Sequence, residues 1–212
     1  VGDKPILETI VEQLSEAGFS LFFMAVHFKA ELLRAHFGDG SDWGITIRYL
    51  EEEAPLGTAG ALSLLSSESI EAPLLVMNGD LLTTLNMAEM FDSHLESKAD
   101  ITIGVYKKIV KLDLGIIELD KSGLVVQYNE KPDYNYLASS GIYILNPEVL
   151  DLIPKNKYYD FPDLIKRMIQ NKLNVMTYNI DGIWLDIGRE EDYKLAIEIF
   201  KKDKDKFFQS EK

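Results

Sequence analysis

The chain has 212 residues, and 22 Lys and Arg against 35 Asp and Glu leave a formal charge of −13. So acidic a balance argues against the basic face that nucleic-acid binding requires, while 46% hydrophobic and 27% charged residues suit one core-bearing domain with at most a small appendage. Having no cysteine, the chain can carry no disulfide scaffold, thiolate zinc site or cysteine nucleophile, and a reducing compartment, the cytoplasm, is the expected location.

Residues 1–7 lack the basic and then apolar regions of a signal peptide. Ile6, Leu7, Ile10, Val11, Leu14 and Ala17 recur at helical spacing between Pro5 and Gly18, which predicts an amphipathic helix over 5–17. The apolar run 19–26 reads as a strand buried on both faces, and even the wider stretch 19–28, which carries His27, is too short to span a membrane. A helix around 29–37, a strand over 45–50, an apolar strand over 74–77 and a helix over 86–97 continue the alternation. In the last of these, Met87, Met90, Phe91 and Leu95 share one face. This pattern predicts an α/β fold, a mostly parallel Rossmann-like sheet with helices on both faces and ligands outside the carboxyl ends of its strands.

Past residue 100 the rhythm changes. Strands over 101–106, 115–119, 124–128 and 141–145 follow without long helices between them, and Asp120 to Gly123 forms a hairpin turn, so an antiparallel section is added to the core. Helices near 147–153 and 160–171, strands over 173–179 and 183–187, and a helix over 190–200 complete the domain, residues 1–200. Residues 201–212, a charged tail with Phe207 and Phe208, are expected to fray or to dock.

Five segments hold residues suited to chemistry. Glu52, Pro55, Gly57 and Thr58 precede a helical stretch of small residues, where a planar or phosphorylated ligand can approach the backbone, although a tight turn explains the same composition. Asn78, Gly79 and Asp80 put a carboxylate at the end of a buried strand, and Trp184, Leu185 and Asp186 repeat that placement. Two such aspartates can share one Mg²⁺ that arrives with phosphate; a turn residue and a helix cap are the plainer alternatives. Glu130 and Lys131 project before Pro132, where Lys can hold a phosphate and Glu a sugar hydroxyl, or where both are simply solvated. Lys4 stands just before a helix N-terminus that favours anions. His27, His36 and His94 lack metal spacing and are expected at the surface or an edge.

Taken in order, Gly-Asp-Lys-Pro, Pro-Leu-Gly-Thr-Ala-Gly-Ala, Asn-Gly-Asp, Glu-Lys-Pro, Ser-Gly-Ile-Tyr and Trp-x-Asp-Ile-Gly resemble the sugar-phosphate nucleotidyltransferases over residues 1–199. The resemblance is nearest to mannose-1-phosphate guanylyltransferase-like and glucose-1-phosphate thymidylyltransferase-like members, some of which carry upstream regulatory domains. It implies the nucleotide-diphospho-sugar transferase fold, whose antiparallel section binds the sugar. It also implies attack of a sugar-1-phosphate on the α-phosphorus of a nucleoside triphosphate, giving a nucleotide-sugar and pyrophosphate. Asp80 and Asp186 would then hold Mg²⁺, and Lys131 and Lys4 would hold phosphate. Glu52, Pro55, Gly57, Thr58 and Gly79 would contact the nucleotide, while Gly115, Glu130, Lys131 and Ser139 would contact the sugar. The partners implied are these two substrates, with no nucleic acid and no membrane, and a homo-oligomer is compatible.

Two departures stand out. Family members begin with a strand and a Gly-rich loop ending in Thr-Arg, upstream of Gly-Asp-Lys-Pro, and the sequence here starts after both, so the chain as given is expected to be a truncated catalytic domain. Ser139 stands where relatives usually carry Asn. The competing expectations are a module that binds a nucleotide-sugar or sugar phosphate without turnover and, less favoured by Glu-Lys-Pro, a metal-dependent glycosyltransferase.

Overall fold

The computed structural model describes residues 4–188, 190–203 and 206–208. Helix α1 (Ile6–Glu16) starts after Pro5 and closes at Gly18, which takes φ +93°. The Gly18 N–H donates to the Ser15 carbonyl and the Phe19 N–H to the Leu14 carbonyl, a Schellman closure that only a residue tolerant of positive φ completes without strain. Strands β1 (Leu21–Val26) and β2 (Thr46–Glu51) pair in parallel through helix α2 (Ala30–Phe37). There follow the single turn α3 (Gly57–Gly60), strands β3 (Leu74–Met77) and β4 (Leu81–Thr83), and helix α4 (Met87–Ser97), capped by Asn86, whose side chain accepts from the Glu89 N–H. The rest comprises β5 (Ile101–Lys111), β6 (Ile116–Leu119), β7 (Val125–Asn129), β8 (Asp133–Leu145), α5 (Phe161–Gln170), β9 (Val175–Asn179), β10 (Trp184–Asp186) and α6 (Glu190–Asp203).

The central sheet runs β3-β8-β5-β9. β3, β5 and β9 point one way and β8 the other, so the sheet is mixed around one reversed strand. Period-two alternation along β8 shows why both faces are covered: Tyr143 and Leu145 pack with Phe161, Leu164 and Met168 of α5, whereas Ile142 and Ile144 pack with Ile10 and Leu14 of α1 and Met87 and Met90 of α4. The two helical layers expected from the sequence are present.

Four expectations change. β1 is not buried on both faces, since Leu21 and Ala25 are exposed; among the described residues it pairs only with β2, and its other edge borders an apolar cleft of about 510 Å³, across which β3 lies half-buried, with Leu7, Phe22, Met24, Leu75, Met77 and Gly79 helping to line it. On α4, Leu95 is 51% exposed and His94 is buried. Its Nδ1 lies 2.9 Å from Thr102 Oγ1 and its Nε2 3.1 Å from Asn146 Oδ1, so the polar side chain of β5 creates a place for it. His27 and His36 do lie at the surface. β8 begins at Asp133, because its first half pairs with β5 beyond the core. Finally, α6 runs through the boundary expected at residue 200, and Phe207 is buried with Leu82, Ala196 and Phe200, its carbonyl accepting from Gln13 Nε2. Residues 204, 205 and 209–212 of the expected tail lie outside the described residues.

Candidate functional site

Strand β10 pairs antiparallel with β4, placing Asp186 opposite Leu81, and the Ile187 N–H donates to the Asp80 carbonyl at 3.0 Å. The two exposed carboxylates therefore converge beside Gly188. A Cβ added at Gly188 would lie 3.2 Å from Asp186 Oδ1 and 3.4 Å from Asp80 Oδ2, so both oxygens face one point that a side chain at position 188 would crowd. The Gly188 N–H also donates to Asp186 Oδ1 at 3.0 Å, orienting that carboxylate. No group of three or more His, Asp or Glu that could hold a metal ion exists among the described residues. A hard pair of carboxylates with room for phosphate and water nevertheless fits Mg²⁺, which prefers one or two carboxylates and substrate oxygens. Trp184 is fixed by stacking on Tyr106 at 4.0 Å and by donating to the Ser140 carbonyl at 2.9 Å, which holds the approach of β10 to this point.

The small-residue loop is built equally closely. Glu52 Oε2 accepts from the Leu56 N–H at 2.7 Å, bending the chain through Pro55, and Gly57 takes φ +80° with no room for a Cβ against Asp160 and Tyr159. The helix that follows is shorter than expected, one α-turn leading into 3₁₀ turns. Asp160 accepts hydrogen bonds from Thr58, and its carboxyl is held below the usual carboxylate range first by the Thr58 N–H and next by the Tyr158 hydroxyl. Thr58 and Gly79 line the same cleft between β1 and β3.

On the antiparallel side, the Tyr128 hydroxyl donates to Glu130 Oε2 at 2.9 Å and occupies the space that a side chain at position 115 would need, so Gly115, Tyr128 and Glu130 form one cluster. Lys131 is exposed with φ +45°, a left-handed conformation uncommon for Lys, forced where the chain turns between β7 and β8. Ser139 Oγ lies 3.0 Å from the Tyr143 hydroxyl, and burial pushes the Tyr143 phenol up from its ordinary value. Lys4 is salt-bridged to Glu8 at 3.2 Å and Glu12 at 2.5 Å, Glu12 being the main cause of its raised pKa.

The structure thus brings together Asp80 with Asp186, Glu52 with the Gly57 loop, and Gly115 with Glu130. Tyr128 and Asp160 escaped the sequence reading, which has Gly188 only as the glycine that ends Trp-x-Asp-Ile-Gly. Asp160 resembles an ordinary helix cap and Tyr128 one more strand aromatic; Asp160 is distinguished by Thr58, 102 positions away, and Gly188 by facing Asp80 as well as nearby Asp186.

The family model described as nucleotidyl transferase matches residues 1–203. A UTP–glucose-1-phosphate uridylyltransferase of Synechocystis sp. is 31% identical over 214 residues, covering 92% of this chain and 55% of the relative. A mannose-1-phosphate guanyltransferase of Debaryomyces hansenii is 29% identical over 91% of this chain and 55% of its own. A D-glycero-α-D-manno-heptose 1-phosphate guanylyltransferase of Aneurinibacillus thermoaerophilus is 27% identical over 92% of this chain and 85% of its own. The chain spans about half the length of the first two relatives. In fold it is similar to HddC from Yersinia pseudotuberculosis complexed with GMP-PN, with a TM-score of 0.69 at 24% identity over 93% of this chain and 86% of the other.

Proposed function

The chain belongs to the nucleotidyl transferase family, and from that premise we propose that the whole protein joins a sugar-1-phosphate to a nucleoside triphosphate, releasing pyrophosphate. The observation that carries the reading is the convergence of Asp80 and Asp186 on Gly188, with Gly79, next to Asp80, and Thr58 of α3 bordering one cleft. In the reaction an oxygen of the sugar phosphate attacks the α-phosphorus, the new P–O bond forms in line with the one that breaks, and pyrophosphate leaves with its electrons. No protein nucleophile is needed, so the work of the chain is positioning and charge neutralisation.

Asp80 and Asp186 would hold Mg²⁺, which when bound neutralises phosphate charge and polarises the reacting phosphoryl group. The backbone of Pro55 and Gly57, shaped by Glu52, and Gly79 at the end of β3 would receive the nucleotide. Gly115 and Glu130 would take sugar hydroxyls, with Tyr128 fixing the Glu130 carboxylate; Lys131 would bind the sugar phosphate and Ser139 would border the sugar. Lys4 would join only by leaving Glu8 and Glu12, which gives it less weight than Lys131. The reading puts the protein in the cytoplasm, where both substrates are at hand, as a catalytic domain whose last helix runs past residue 200 and packs with Phe207, in a chain free to form homo-oligomers or to carry upstream regulatory domains.

The cleft between β1 and β3 supports the further reading that turnover requires an additional strand and Gly-rich loop beside it. The test is pyrophosphate release across the ribonucleoside triphosphates and dTTP with mannose-, glucose- and glucosamine-1-phosphate, with and without Mg²⁺, using the chain as given and a form extended upstream. Mg²⁺-dependent turnover in the extended form supports the proposal. Silence in both forms combined with nucleotide-sugar binding would replace it with a non-catalytic binding module.

A further inference from the structure

Asp160 occupies the N-cap position of α5 yet makes no side-chain bond to that helix. Its Oδ1 accepts from the Thr58 N–H at 2.8 Å and from Thr58 Oγ1 at 3.0 Å, while Thr58 Oγ1 accepts from the Phe161 N–H, at the start of α5, at 3.0 Å. Two residues 102 positions apart therefore cap each other's helices. Around them, the N–H groups of Ala59 and Gly60 donate to the Tyr159 carbonyl at 3.0 and 2.9 Å, and the Tyr159 N–H donates to the Leu56 carbonyl at 2.8 Å. At Gly57, the place of a Cβ lies only 2.7 Å from Asp160 Oδ1 and 2.9 Å from the Tyr159 carbonyl oxygen. The loop and the segment before α5 are one interlocked unit.

A single helical turn such as α3 cannot hold its own shape, since nucleation is unfavourable and its first amide groups need outside partners. Asp160 supplies a charge-assisted partner, stronger than a neutral one. The Thr58 hydroxyl spends its only hydrogen on Asp160 and an acceptor site on Phe161, so it serves the scaffold, leaving the neighbouring backbone to meet a ligand.

We infer that Asp160, acting through Thr58, is a positioning residue for base recognition: it sets the backbone of residues 55–58 against which the nucleotide base is read. This rests on the function proposed above. The test compares wild type, Asp160→Ala, Asp160→Asn and Thr58→Val in the full protein, by steady-state kinetics with each triphosphate and by amide hydrogen exchange. In Asp160→Ala the KM for the preferred triphosphate should rise about tenfold and discrimination against the next-best base should fall by a similar factor, while kcat and the KM for the sugar phosphate stay within about threefold. Thr58→Val should follow the same pattern. Asp160→Asn, which keeps an acceptor oxygen, should recover much of the loss, and the amides of residues 58, 59 and 60 should exchange faster in Asp160→Ala and Thr58→Val than in Asp160→Asn or wild type. Faster exchange with unchanged base discrimination would overturn the inference by reducing the contact to a structural link, as would a fall in kcat with both KM values unmoved. Wild type inactive on every triphosphate would refute the functional reading itself; active wild type beside an unaltered Asp160→Ala would refute only this inference.

Discussion

Substituting Ala for Gly188 separates metal binding from folding, because the two should move in opposite directions. The new methyl carbon would lie 3.2 Å from Asp186 Oδ1, tighter than ordinary contact, and 3.4 Å from Asp80 Oδ2. One carboxylate must give by a few tenths of an ångström, and Mg²⁺ tolerates little departure from octahedral geometry at about 2.0–2.1 Å. Disturbing the supports of a metal ligand costs about 10–100-fold in affinity, equivalent to about 1.4–2.7 kcal/mol. The backbone at Gly188 lies outside the left-handed region, so Ala should stabilise the fold by about 0.4–1 kcal/mol through the unfolded chain, raising Tm by about 1–4 °C in a chain of this size. A Mg²⁺ titration of pyrophosphate release in the full protein, a calorimetric titration with Mg²⁺ in the presence of nucleotide-sugar, and a thermal melt measure the three quantities. An unchanged half-saturating Mg²⁺ concentration would refute the placement of the ion between Asp80 and Asp186; a lowered Tm would show that the substitution acts through the fold instead.

Asp186→Asn should lower turnover at least about 100-fold with stability changed by no more than about 0.5 kcal/mol, since the side chain is exposed; kinetics paired with a urea melt decide it. Gly115→Ala should displace Tyr128 from Glu130 and raise the KM for the sugar phosphate while leaving that for the triphosphate unmoved. Phe207→Ala should cost about 3–5 kcal/mol in a urea melt, as expected for a buried aromatic; a cost near zero would restore the frayed tail. For pH, Asp160 has a folded pKa below its unfolded one, so its contribution is complete above the unfolded value near 3.8 and is lost as pH falls through the lower folded value. Protection of the Thr58 amide should therefore persist at pH 5 and be lost only below the ordinary value of 3.8, a window that exchange measured across acid pH values tests.

Local periodicity carried most of the fold. The α1 stripe, the hairpin turn at Asp120 and the two helical layers were legible because each depends on residues close in sequence. What local pattern could not show was pairing over distance. β8 looked short, as the exposed half from Asp133 onward lacks a core face and is a strand only by virtue of its partner β5. His94 looked like a surface residue because its two partners, Thr102 and Asn146, come from other elements. At the site, Asp80 and Asp186 were readable from their places after apolar strands, but Gly188 and Asp160 acquire meaning only when β10 meets β4 and α5 meets the Gly57 loop. Residue type suggested the chemistry, and topology decided which residues share it.

The extended pairing of β5 with β8 has a consequence for how the protein yields under stress. Beyond Tyr106 and Ala138 the two strands carry the β6–β7 hairpin away from both helical layers, and Ile117, Leu119, Val125 and Tyr128 lie largely in solvent. Backbone ladders without a packed core open at the lowest free energies in a molecule. Lys107, Lys108, Lys111 and Lys121 are all exposed on this arm, so trypsin will nick here before the helical layers loosen; Lys131, followed by Pro132, is spared. A ligand bridging Gly115 and Lys131 would slow that nicking by mass action, which makes a protease and a gel sufficient to rank candidate sugars by affinity before any turnover assay exists.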